Sequence, residues 1–165
     1  MINEVLKEVR DLLRTSMGSS VVKTFYAGRV GIPAKDYLPA VIIEERSTEL
    51  VRQSTQKDMW QFGLSILVIC DVRKDFNVAG ITDDVVDTFE TLRNLVEEAD
   101  TDGAPKTTSV LGTLARQSNI RGTNFVYNIR PRVNYRPIFP GMDQFWYVAA
   151  QIDIDMMSDF VPRKA

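Results

Sequence analysis

Histidine is absent from this chain of 165 residues, and cysteine occurs once, as Cys70. The lack of histidine excludes Ser-His-Asp and Cys-His nucleophile systems and removes the commonest zinc ligand. A lone cysteine excludes an internal disulfide framework and cannot by itself hold a structural zinc. Positive charge is not in excess either. The 20 Lys and Arg stand against 22 Asp and Glu, a net charge of -2, so no global basic field calls for nucleic acid. Long apolar runs are missing: none approaches the roughly 18 residues of a membrane span, and no membrane partner is expected. The first turns carry Glu4, Lys7, Glu8, Arg10, Asp11 and Arg14, which is not the pattern of a secretory signal. No GxGxxG, GxxxxGK[ST] or CxxC motif occurs, and no cofactor is expected.

What is present is an ordinary globular composition, 44% hydrophobic and 25% charged. A chain of this length can bury a core without staples and is read as a single domain over 1–165. Ile2, Val5, Leu6, Val9, Leu12 and Leu13 recur at spacings of three and four, which predicts an amphipathic helix ended by "SMGSS" at 16–20. "VVKTFYAGRV" (21–30) reads as a strand and "GIPAKDYLPA" (31–40), with two prolines, as a loop. "AVIIEERSTELVRQ" (40–53) reads as a strand that turns polar at its far end.

The clearest strand follows. Trp60, Phe62, Leu64, Ile66, Val68, Cys70 and Val72 occupy even positions, with Gln61, Gly63, Ser65 and Asp71 on the odd face. Leu67 and Ile69 interrupt the polar face, which predicts local cover there. Residues 80–103 read as a second helix with Ile81, Val85, Phe89, Leu92, Val96 and Ala99 as its stripe and Thr82, Asp83 and Asp84 at its start. "SVLGTLARQS" (109–118) fits either a short helix or a strand. The last strand repeats the earlier alternation: Trp146, Val148, Ala150, Ile152, Ile154 and Met156 are even, Gln151, Asp153 and Asp155 odd. The fold class expected is α+β, a mixed but mainly antiparallel sheet packed by two main helices.

Residues 119–141 are the unusual part. Ile129, Pro131, Val133, Tyr135 and Pro137 lie on odd positions and Arg130, Arg132, Asn134 and Arg136 on even ones. Prolines bar such a segment from the middle of a sheet, so it is read as an extended proline- and arginine-rich arm, or a long hairpin, with one basic face. Its apolar residues would be exposed on a lone subunit. Three readings compete: a charged edge that resists wrong pairing, a phosphate-contacting cluster, and a protein interface, where arginine and aromatic residues dominate. The acidic whole favours the interface over nucleic acid. The interface candidates are Ile129, Arg130, Arg132, Val133, Tyr135 and Arg136, with Arg46 and Arg52 from the polar end of 40–53.

Asp153 and Asp155 would project from one side of a strand, roughly 7 Å apart by strand rise. Two such carboxylates could serve a hard cation in a metal-dependent nuclease, with Asp71 and Glu44 as further acids under an assumed strand order. Alternation alone already predicts polar, water-facing residues at these places, and that reading is favoured. Cys70, on the apolar face, is read as a structural thiol. No enzymatic activity is expected.

The succession of a short helix, a strand, "GIPAKDYLPAVIIEE", a strand ending in "ILVICDVRKD", the acidic helix "TDDVVDTFETLRNLVEE" and a closing "YVAAQIDIDM" resembles the tail terminator proteins of long-tailed bacteriophages. The likeness covers residues 1 to about 100 and 142 to 157 and is one of pattern, since that family has no short invariant motif. It implies a virion structural protein at the tail-neck junction, assembled in the bacterial host cytoplasm. It further implies a homo-oligomeric ring, a hexamer, that caps the tail tube and joins it to the head connector and neck proteins. Genomic DNA would pass through such a ring without sequence-specific binding. The long 119–141 segment departs from a minimal member and leaves a neighbouring neck-ring or head-closure protein of related fold as the alternative.

Overall fold

Helix α1 (Ile2–Met17) buries Val5, Leu6, Val9, Leu13 and Met17 along one side. Gly18 ends it at a φ of 73°, donating its amide to the Arg14 carbonyl at 3.0 Å, the left-handed position where glycine carries no Cβ penalty. The computed structural model describes residues 2–31, 33–52, 57–71, 85–116, 125–140, 146–158 and 161–162. Strand β1 (Thr24–Ala27) is shorter than the 21–30 segment suggested. A 3-10 turn (Lys35–Tyr37) occupies part of the expected loop. The long strands β2 (Ala40–Arg52) and β3 (Lys57–Asp71) follow. Next come α2 (Val85–Glu97), the short α3 (Val110–Ala115), β4 (Phe125–Pro140), β5 (Trp146–Ser158) and β6 (Val161–Pro162).

The strands form one mixed sheet in the order β1-β2-β3-β5-β4, with β6 paired to the start of β3. Among the described residues only β1 and β2 run parallel; the other pairings are antiparallel. The architecture is α+β. Phe62, Leu64, Ile66, Val68 and Cys70 of β3 join Val148, Ala150, Ile152, Ile154 and Met156 of β5 in one core with α1, α2 and α3. Each is at most 2% exposed, and burying each of the larger aliphatic ones contributes about 1.5–3 kcal/mol. The period of two therefore assigns the helix-facing side correctly. The cover expected near Leu67 and Ile69 is also there: a smaller cluster on the opposite side joins Ile69 and Leu67 to Leu38, Ala40, Ile42, Tyr147 and Ala149.

Two expectations need correction. The inner face of α2 is made by Leu92, Leu95 and Val96; Phe89 is 37% exposed and Ala99 is exposed beyond the helix, bridged to Pro105. Ile81 and Thr82 to Asp84 lie outside the described residues, as does Val72. The second correction concerns Val133 and Tyr135. They were expected to be exposed on a lone subunit, yet both are half-buried against the main core. Tyr135 also meets Phe89 at a ring-centroid distance of 5.5 Å. The reason is that β4 pairs with β5 through Arg132–Arg136 without a break, so alternate residues of this stretch share the side that the helices cover.

The ambiguous 109–118 segment is helical. Ser109 caps it, accepting from the Gly112 amide at 3.1 Å while donating to the Lys106 carbonyl at 2.8 Å. A Cβ on Gly112 would stand 1.8 Å from the Lys106 carbonyl oxygen, so the glycine that weakens the helical pattern is what lets the turn pack.

Candidate functional site

The helices cover one side of the sheet. On the other, the centre is polar, and this is where most of the candidate residues that can be placed fall. Along one row Glu44 pairs with Ser65, Ser65 with Asp153 and Asp153 with Arg132. In the next row Ser47 pairs with Gly63, Gly63 with Asp155 and Asp155 with Asn128.

The register of β2 on β3 slips between Glu45 and Ser47, so Arg46 is an extra residue. Such a bulge re-aims side chains. Here it turns both Arg46 and Ser47 over Gly63: a Cβ on Gly63 would meet the Ser47 hydroxyl at 2.5 Å and the Arg46 Nε and Nη2 at 3.1 Å. Glycine leaves that space open, and the Arg46 guanidinium crosses β3 to donate to Asp155 at 2.6 Å. Glycine inside a strand is a signal for close approach; it was the available clue to this crossing.

Asp153 accepts from the Ser65 hydroxyl at 2.5 Å and from the Gln151 amide at 3.0 Å. Partial burial alone would raise its pKa, but the hydrogen bonds from Gln151 and Ser65 and the charges of Arg46 and Arg132 outweigh that and hold the carboxyl below its ordinary value. Asp153 is therefore an ionised acceptor rather than a proton-transfer group near neutrality. Ser65 and Gln151, which sequence reasoning treated only as polar filler, organise this site.

Asp153 and Asp155 do share one side, as the alternation indicated. The further acids do not assemble around them. Asp71 pairs with Tyr147, six residues from Asp153 and roughly 20 Å away by strand rise. Glu44 lies two strands across. Among the described residues no group of three or more His, Cys, Asp or Glu is arranged to hold a metal ion.

Of the interface candidates, Arg132 is exposed on the open side, and both it and Arg46 act on Asp153. Arg52 is exposed near the far end of the β2–β3 hairpin, opposite Asp58, and does not join them. Arg136 pairs with Ala149 in register. Ile129 and Arg130 fall with Pro131 in a register shift between Asn128 and Arg132, and Pro137 falls in a second between Arg136 and Phe139. Both prolines thus sit where the ladder is interrupted, as their missing amide requires.

Val133 and Tyr135 face the helices instead. The Tyr135 hydroxyl is buried without a well-aligned hydrogen-bond partner. Burial, then the negative charge of Glu97, pushes it up to about 12. Cys70 is likewise pushed up to about 12 by burial and by Asp71, which makes it an inert packing thiol. No helix among the described residues is long and apolar enough to cross a membrane. No protein-family model matches this chain, and no curated protein matches it.

Proposed function

We propose that this chain is a virion structural protein, a tail terminator that forms a ring on the end of a bacteriophage tail tube and joins it to the head connector. The observation that supports this most is the succession of elements. α1, β1, the proline-containing segment, β2, β3, α2 and, after α3 and β4, the strand β5 come in the order on which the resemblance rests. The open polar side favours the same reading. Its two best-placed carboxylates are engaged by Arg46, Ser65 and Gln151, which suits a surface built for contact better than one built for turnover. The ring would be a homo-hexamer at the tail-neck junction. Its partners would be tail tube and neck proteins, with DNA passing through without base readout. A neck-ring protein of related fold is the alternative.

The test is the mass of the purified protein in solution, followed by its effect on growing tail tubes. A ring that fixes tube length is the expected outcome. A protein that neither rings nor caps tubes would overturn the reading. So would Mg²⁺-dependent DNA cleavage that vanishes on Asp153→Asn and Asp155→Asn substitution.

A further inference from the structure

The outer edge of β2 is paired for only part of its length. β1 covers Ala40 to Ile43, and from Glu44 to Arg52 that edge has no neighbour among the described residues. The stretch holds no proline, and Arg46 to Leu50 are exposed. The other edge of the sheet, β4, is interrupted at Pro131 and Pro137. A long open edge without proline is a template for a further strand.

The direction of its backbone groups follows from two bonds. The Pro39 and Ile43 carbonyls accept from the Lys23 and Gly28 amides, so odd residues in the first half of β2 turn their backbone groups toward β1. The extra residue at Arg46 shifts that alternation by one. Beyond it Thr48, Leu50 and Arg52 turn their amides and carbonyls outward. On the side the helices cover elsewhere the edge reads Glu45, Thr48, Leu50, Arg52, since these stand opposite Leu64, Phe62, Trp60 and Asp58 of β3. Reversed, this row complements itself, with an acid at one end, a cation at the other and Leu50 between. The Glu45 carboxylate takes the Thr48 hydroxyl and has lone pairs for a second donor. Arg52 is exposed and joins none of the ion pairs among the described residues. Leu50 is 49% exposed, and Trp60 beside it, stacked on Phe62 at 6.3 Å, is half-buried.

We propose that two copies of this chain pair antiparallel through this edge, with Leu50 opposite the partner's Leu50. Thr48 then stands opposite the partner's Arg52, whose long side chain reaches the Glu45 carboxylate across a diagonal of roughly 7–8 Å. The two Leu50–Trp60 patches merge across the two-fold axis. Moving the axis by one residue sets Glu49 against the partner's Glu49, a like-charge pair that disfavours that register. The contact is isologous and closes on itself. It goes beyond the ring reading and does not rest on it, because it joins two free subunits or two rings set end to end.

The test is Leu50→Pro. The Leu50 amide points away from β3, so proline leaves the β2–β3 ladder intact and removes a bond only from the new contact. Sedimentation equilibrium of parent and variant over a range of concentrations reads the mass. A cooperative melt in both and half the parent mass in the variant is the expected result. Equal masses at every concentration would overturn the contact, for a monomer and for a ring alike. A charge swap tests the register without proline. Arg52→Glu should raise the dissociation constant several-fold, and adding Glu45→Lys to it should restore the parent value. A double variant as weak as the single one would overturn the pairing.

Discussion

β3 and β5 present two sides made from the same backbone, and the two have opposite chemistry. On the helix side every residue from Phe62 to Cys70 and from Val148 to Met156 at even positions is closed off from water. On the other side the same strands offer Gly63, Ser65, Gln151, Asp153 and Asp155, held by side-chain bonds that reach from one strand to the next. The first side stores stability through burial. The second depends on space and charge, and so tolerates change in a graded way.

The largest effect should come from placing a charge on the buried side. Ile66→Asp is expected to unfold the domain, at a cost of more than about 4 kcal/mol, because an unpaired carboxylate has no partner there. Thermal denaturation followed by circular dichroism reads this directly, and a retained cooperative melt would mean that the facing is wrong. Gly63→Val acts from the open side at its tightest point. The new side chain would displace Arg46 and Ser47, costing about 1–3 kcal/mol. The measured loss should shrink when Arg46 is also shortened to Ala.

Asp153→Asn should be milder, about 1 kcal/mol or less, since the carboxyl is partly solvent-screened. The folded protein holds this group below its unfolded value. Its contribution is therefore present above the unfolded carboxylate range and is lost as pH falls through the folded value. The variant should accordingly lose stability near neutrality and lose less than the parent between about pH 4 and the acid limit. Equal pH slopes in the two proteins would count against the network. The smallest change is expected for Arg46→Ala alone. An exposed ion pair at 2.6 Å, with side chains 43% and 56% exposed, contributes between about 0 and 1 kcal/mol. That contribution should fade further in high salt.

The edge strand sharpens the same lesson. The alternation through 132–136 was legible, and Arg132 and Asn134 are indeed exposed while Val133 and Tyr135 are not. What could not be read was the layer that the apolar set meets. Taken as an isolated arm, those residues needed a neighbour. Paired to β5, they pack on the core of their own chain, with Tyr135 set against Phe89 of α2. The exposed end of β2 was legible in its own residues, as the polar run that begins at Glu44, and Arg46 to Leu50 are exposed accordingly.

By itself the sequence determined the period of each long strand, the amphipathic side of α1, the glycine stop at Gly18 and the placing of Pro131 and Pro137 away from regular pairing. Each is local, set by side-chain direction or by backbone geometry within a few residues. Only the tertiary structure decided that β5 lies between β3 and β4. It also decided that Arg46 reaches Asp155, 109 residues away, and that Ser65 reaches Asp153, 88 residues away. Those contacts depend on strand order and on one bulge, and neither is encoded by a period that repeats every two residues.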